Sequence, residues 1–299
     1  MRIGVDLGGT KIEGVVVTDE GEIVARQRMP TPAADGYGAI VSAVGALVRG
    51  LEREVSRTCP VGVGTPGALS PATGLLRNSN TVCLNGTALD QDLSAELGRR
   101  VRIANDADCF ALSEAVDGAA AGALSVFGVI LGTGTGGGIV IGGRLLSGPN
   151  SIAGEWGHNP LPWPTDAELP GPECYCGKRG CIETWLSGPG LAADHERVTG
   201  ERLDATSISA GAAEDAKARA TLDRHTDRLA RALASVINIL DPHVIVLGGG
   251  LSNMPHLYSA VPERWGAPIF SESVSTRLVQ NHHGDSSGVR GAAWLTNAP

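Results

Sequence analysis

The chain contains no apolar run approaching the ~20 residues of a membrane-crossing helix, so a helical membrane protein is excluded. It also lacks an excess of positive charge. The formal net charge is −8, which argues against nucleic acid and anionic membrane surfaces as partners. The first residues, Met1-Arg2-Ile3-Gly4-Val5, enter a strand pattern directly, without the apolar core of a secretory leader, and a cytoplasmic location is expected. Cysteine is sparse. Six cysteines in that compartment point to thiols or metal ligands rather than disulfides, and Cys59, Cys83 and Cys109 read as ordinary buried thiols. Aromatic residues make up 4% of the chain beside 42 glycines, a balance that suits an α/β protein rich in strands and tight turns. At 299 residues there is room for one large domain or two smaller ones. A fold of that size buries about 75% of the unfolded chain's surface and needs no external staple.

What is present is a repeated pattern. Ile3 to Leu7, the turn Gly8-Gly9-Thr10-Lys11 and Ile12 to Val17 read as a β-hairpin. A second hairpin follows half a chain later: Phe127 to Leu131, a Gly-rich turn from Gly132 to Gly136, and Gly138 to Ile141. Val5 to Thr10 aligns with Val129 to Gly134, as a duplication with one hairpin opening each half would produce. Helical spacing marks Tyr37 to Leu51, Leu89 to Leu97 and Leu229 to Leu240, the last stopped by Pro242. A further helix opens at Asn105-Asp106 and runs into an Ala-rich end. Strands alternating with helices predict an α/β fold, and the hairpins make its sheets mixed.

Three Gly-rich loops each follow a strand: Gly8-Gly9-Thr10-Lys11, Gly132-Thr133-Gly134, and Gly248-Gly249-Gly250. Exposed backbone N–H groups and small hydroxyls suit phosphate oxygens, and glycine permits close approach. Any one of these loops could be only a tight turn; three together favour phosphate binding. The Gly-x-Gly-x-x-Gly string at Gly132, Gly134 and Gly137 is rejected as a dinucleotide fingerprint, because a strand rather than a helix follows it. Asp6, at the end of its strand, reads either as a turn cap or as a carboxylate for Mg²⁺. Asp106 likewise reads either as part of a helix cap or as a general base aimed at a substrate hydroxyl.

The densest chemistry lies between Glu155 and Glu183. His158, Cys174, Cys176 and Cys181 form a four-ligand set for structural Zn²⁺, with Gly177 and Gly180 allowing the loop to bend. With no open coordination position, the metal would organise the loop rather than act as a Lewis acid. Glu155 and Glu183 flank the set as acceptors suited to polyol hydroxyls.

These strings together, Asp6 to Lys11, Asn105-Asp106, Gly132 to Gly134, Glu155-x-Gly-His158 and Cys-x-Cys-Gly-x-x-Gly-Cys-x-Glu, resemble the ROK family from residue 3 to about 295. The stretches Glu114 to Ala120, Gly154 to Pro162 and His283 to Ala293 resemble its bacterial fructokinases most strongly. The resemblance implies an actin-like, ribonuclease H-like ATPase fold with a cleft between two lobes. Their expected boundaries are 1–117 plus 284–299 for the small lobe and 118–283 for the large one. It implies transfer of the ATP γ-phosphoryl group to a hexose 6-hydroxyl, fructose first and mannose in addition, with glucokinase as the alternative. Asp106 matches the base, and Asn80, Asn105, Glu155, His158, Glu183 and the Gly67 loop match sugar contacts. Mg²⁺ accompanies ATP near Asp6, and a homodimer is compatible with the family. Cys83 is a departure, standing where relatives often carry Trp. A transcription regulator of the same family is disfavoured, because the hairpin starts at residue 3 with no helix-turn-helix before it. A chaperone-like ATPase of the same fold is disfavoured by the cysteine cluster and its flanking acids.

Overall fold

A computed structural model describes residues 1–297. The strands are β1 (Arg2–Leu7), β2 (Lys11–Val17), β3 (Ile23–Pro30), β4 (Val61–Thr65), β5 (Ala68–Leu69), β6 (Leu76–Arg77), β7 (Val101–Asn105), β8 (Ser125–Leu131), β9 (Thr135–Ile141), β10 (Arg144–Leu145), β11 (Val244–Gly248) and β12 (Arg277–Gln280). The helices are α1 (Tyr37–Val55), α2 (Leu89–Leu97), α3 (Asp106–Val116), α4 (Glu183–Leu186), α5 (Gly188–Thr199), α6 (Ala205–Gly211), α7 (Ala216–Leu240), α8 (Leu257–Ala260) and α9 (Ser287–Trp294).

Two five-stranded sheets have the orders β3-β2-β1-β4-β7 and β10-β9-β8-β11-β12, and β5 pairs with β6 separately. In the first sheet β1 pairs antiparallel with β2 and parallel with β4, and β4 pairs parallel with β7. In the second, β8, β11 and β12 run parallel while β9 and β10 run antiparallel. Both sheets are thus mixed, each joining a hairpin to a run of parallel strands.

The chain forms two compact units. Among the described residues, one contains 1–122, 138–153 and 282–297; the other contains 123–137 and 154–281. Relative to the expected lobes, residues 138–153 group with the first unit, and one chain crossing falls inside β9. The core of the first unit is built on Ile3, Val5 and Leu7 of β1, Val61 and Val63 of β4, and the buried stripe Ile40, Val44, Leu47, Val48 and Leu51 of α1. Gly14 of β2 permits that packing, since a Cβ there would lie 2.8 Å from both Leu47 and Leu51.

Several element boundaries differ from the sequence reading; helix α7, for one, begins at Ala216, ahead of the Leu229 to Leu240 stripe. The strand after the second Gly turn begins at Thr135 rather than Gly138, so its glycines are strand residues. Helix α3 stops at Val116 instead of continuing into the alanines. The cause is Glu114, which is fully buried and accepts the Ala119 N–H, folding the chain back. The same carboxylate accepts the N–H groups of His282 and His283 and the Ser287 hydroxyl, fixing the start of α9. Cys59 and Cys109 are buried as expected, whereas Cys83 is half-buried. Among the described residues no helix is long and apolar enough to cross a membrane.

Candidate functional site

In the first unit the parallel strands end level with one another. Asp6 of β1 pairs with Gly64 of β4, and Thr65 of β4 with Asn105 of β7. Ligands of α/β sheets gather beyond these carboxyl ends. Asn105 Oδ1 accepts the Asp108 N–H at 2.9 Å, so Asn105 is the cap of α3. The capping duty therefore does not fall to Asp106, the exposed first residue of the helix, whose Oδ1 accepts the adjacent Ala107 N–H at 2.9 Å. Burial, then the negative charge of Asp106, push the Asp6 carboxyl up to about 6, against the pull of Lys11. Two acids held in mutual repulsion form a donor set suited to a hard cation that keeps part of its water.

The first Gly turn is closed by the Gly8 N–H donating to Lys11 O at 3.0 Å and by the Thr31 hydroxyl donating to Gly8 O at 2.7 Å. Lys11 Nζ donates to Glu13 at 2.9 Å. Glu13 is buried and also pairs with Arg26 and Arg28, so Lys11 is tethered beside its turn. Gly67 has φ +86°, and a Cβ there would lie 2.4 Å from Arg77 O, so only glycine lets this loop meet the segment leading to Asn80. That segment is pinned by Asn85, whose side chain accepts the Ser79 N–H at 2.8 Å and donates to Ser79 O at 2.9 Å. Asn80 itself is exposed. Nothing in the sequence pattern singled out Asn85.

In the second unit the donor atoms of His158, Cys174, Cys176 and Cys181 all lie within 4.8 Å of one another. The loop that gathers them is a knuckle: the Cys174 N–H donates to Lys178 O, and the Gly177 N–H donates back to Cys174 O. Trp156 anchors the short 3-10 turn carrying His158, donating from Nε1 to Gly136 O at 3.1 Å and meeting Phe127 edge to face. His158 turns Nδ1 toward Cys174, at 3.6 Å, while Nε2 meets the hydroxyl of Tyr175 at 2.9 Å. Tyr175 is 83% exposed. Its position between two cysteines was the available sequence signal, and it passed unnoticed. Burial raises the Cys174 thiol and carries Cys181 to about 12, whereas the Lys178 backbone N–H lowers Cys176.

Glu183, at the start of α4, accepts the Thr135 N–H at 2.8 Å. It thereby joins the cysteine segment to the second Gly turn, which is closed by the Gly132 N–H donating to Gly134 O. A Cβ on Gly134 would lie 2.7 Å from Glu183 Oε2, so a side chain there would displace that carboxylate. Beside this turn is a cavity of about 730 Å³. Gly132, Thr133 and Gly250 line it, together with Pro189 of α5, Thr206 of α6 and Met254. Gly134, Gly248 and Gly249 are not among its lining residues. Gly249 instead lets the chain cross β8, since its Cβ would fall 2.5 Å from Leu131 O. The α5 and α6 lining went unread in the sequence, where Ser187-Gly188-Pro189 signals only a helix start.

The model of the ROK family matches residues 2–298. The chain belongs to the ROK family. A protein of Aliivibrio salmonicida named N-acetyl-D-glucosamine kinase is 41% identical over 300 residues, covering 99% of each chain. Among solved structures, a ROK hexokinase from Thermus thermophilus superposes with a TM-score of 0.88 at 31% identity, covering 99% of each chain. A ROK family glucokinase from Streptomyces griseus, in complex with glucose and AMPPNP, gives 0.77 at 27% identity over 98% of each. The two mixed-sheet units of this ROK protein are those of the actin-like ATPase fold.

The expected fructokinase specificity is overturned by the first of these matches, whose full-length relative is named for N-acetyl-D-glucosamine. The physical reason lies in what carries the fructokinase resemblance: Glu114 to Ala120 and His283 to Ala293 are joined through the buried Glu114 carboxylate, and Gly154 to Pro162 is anchored by Trp156, so these strings record packing and do not read one sugar from another.

Proposed function

We propose that this ROK protein transfers the γ-phosphoryl group of ATP to the 6-hydroxyl of N-acetyl-D-glucosamine. The observation that carries the reading is full-length identity of 41% with a kinase named for that sugar. Asp106 is the general base: it stands at the first turn of α3, while Asn105 performs the capping that would otherwise occupy it. A base in this role contributes about 10²–10⁴-fold. The sugar contacts are assigned to Asn80, Asn105, Gly67, Glu155, His158 and Glu183. The nucleotide is assigned to the Gly8 to Lys11 turn and to the cavity beside Gly132, Thr133 and Gly250, whose uncharged lining suits a purine and its ribose.

Two metals fit the residues present. Asp6, with Asp106 beside it, would hold Mg²⁺, which when bound offsets phosphate charge. Without a cation, burial and repulsion leave Asp6 protonated in acid and strained above about pH 6. For Zn²⁺, a tetrahedron with bonds of about 2.3 Å has edges of roughly 3.8 Å. The Cys176 to Cys181 sulfur separation of 3.6 Å and the Cys174 to His158 Nδ1 separation of 3.6 Å match that figure. Zinc would hold the knuckle, leaving the His158 Nε2–H to donate outward and Glu183 to brace Thr135. Zinc content measured on the purified protein tests this assignment, with one equivalent expected.

The decisive test is ADP release with N-acetyl-D-glucosamine, glucose, mannose and fructose compared under one set of conditions. The highest kcat/KM is expected for N-acetyl-D-glucosamine. No turnover of that sugar alongside turnover of another would overturn the substrate, and no turnover of any would overturn the kinase.

A further inference from the structure

A second cavity, of about 680 Å³, lies wholly within the first unit and shares no residue with the site above. It runs along β7, the outermost strand of its sheet, and is bounded by the turn into β10. Its floor is apolar, with Leu69, Leu145 and Trp294 among its surfaces, and three arginines, Arg100, Arg102 and Arg144, line it. Arg102 lies on β7 and Arg100 directly precedes that strand. Arg100 and Arg144 are exposed, and neither has an ion-pair partner among the described residues. Two exposed arginines without an ion-pair partner thus line one apolar cavity on a chain of net charge −8.

Asp90, on the first turn of α2, also lines the cavity, and Trp294 is 5% exposed with the Arg2 guanidinium over its ring. Ligand cavities of this size are mostly apolar, with a few polar groups that fix orientation.

We infer that this cavity is a binding site for an amphipathic organic anion: an apolar body on the Leu69, Leu145 and Trp294 floor, and a phosphate or carboxylate head on Arg100 and Arg144. Guanidinium groups take such heads by paired N–H donors. The site is separate from the proposed phosphoryl-transfer residues, so its occupancy can be read without turnover.

The test is calorimetric titration of the full chain with octyl phosphate and octanoate, with inorganic phosphate and octanol as half-ligands. Saturable one-to-one binding is expected for the two amphiphiles, and at least roughly tenfold weaker binding for either half. Comparison of the two amphiphiles identifies the head group. Arg100→Ala and Arg144→Ala should each weaken binding about tenfold, while kcat and KM measured without amphiphile stay at wild-type values. Unchanged affinity in the R100A/R144A double variant would overturn the site, as would binding by octanol equal to that of octyl phosphate. Gel filtration supplies the remaining outcome. A dimer of the wild-type chain that excludes the amphiphile and is broken by R100A/R144A would make this face a subunit contact and overturn the inference.

Discussion

The two Gly hairpins are built alike and equipped differently. The turn after β1 has Asp6 before it and Lys11 within it, with Asp106 near enough to repel Asp6, and Lys11 held by buried Glu13. The turn after β8 carries no charged side chain. A carboxylate beside it, Glu183, accepts the Thr135 N–H, and the cavity next to the turn is lined by uncharged residues. One backbone device thus has two settings: the first unit concentrates charge around its turn, and the second leaves its turn uncharged beside a cavity.

The sharpest way to break this division is Asp106→Asn. If charge chemistry resides in the first unit, kcat falls about 10²–10⁴-fold with sugar affinity kept, as steady-state kinetics and sugar titration will read. Full activity would remove Asp106 from the mechanism. Next in size is Asp6→Asn, which should have opposite effects on turnover and stability. The folded-state pKa of Asp6 is raised from 3.8 to about 6, so the native protein holds this proton more tightly than the unfolded chain does. Its contribution to stability therefore falls as pH rises from about 4 to 6 and stays low above that. Asp6→Asn should stabilise the metal-free protein at pH 7.5 by roughly 2–3 kcal/mol and leave it unchanged near pH 3, while lowering turnover. Denaturant melts at the two pH values decide it.

The uncharged second turn makes a different prediction. Glu183→Ala removes the acceptor of the Thr135 N–H and should raise the nucleotide KM about tenfold. Glu183→Gln keeps an acceptor and should recover most of that loss; equal damage from both would mean that the charge, not the brace, is what matters there. The smallest effect is expected of Tyr175→Phe. Its hydroxyl occupies His158 Nε2 from an exposed position, so its removal frees that nitrogen for a sugar hydroxyl. A two- to threefold lower sugar KM with constant kcat is expected, in the range of a net hydrogen bond. A higher KM would instead make Tyr175 a sugar contact.

Much of this was legible in the chain because it was local. The hairpins, the Asn105-Asp106 helix start and the knuckle of Cys174, Cys176 and Cys181 are each encoded within a few residues of themselves. What escaped reading depends on single pairings: Glu183 bracing Thr135 and Glu114 holding His282, both distant in sequence, and the nearby but unpatterned contacts of Asn85 with Ser79 and of Glu114 with Ala119. No periodicity encodes such pairings, since each needs only one acceptor at one place. Sugar identity escaped for another reason. The stretches that resemble fructokinases pack on Glu114 and around Trp156, and such packing carries no reading of an acetamido group against a hydroxyl.

Glu183 has two oxygens, and only one is engaged by Thr135. A sugar hydroxyl that takes the other draws on the same carboxylate that steadies the phosphate turn. Binding at either place then alters the free energy of binding at the other, and thermodynamic linkage requires the two effects to be equal. The factor by which sugar tightens nucleotide must be the factor by which nucleotide tightens sugar, so the order in which the substrates arrive would set the path taken but not the strength of the complex reached.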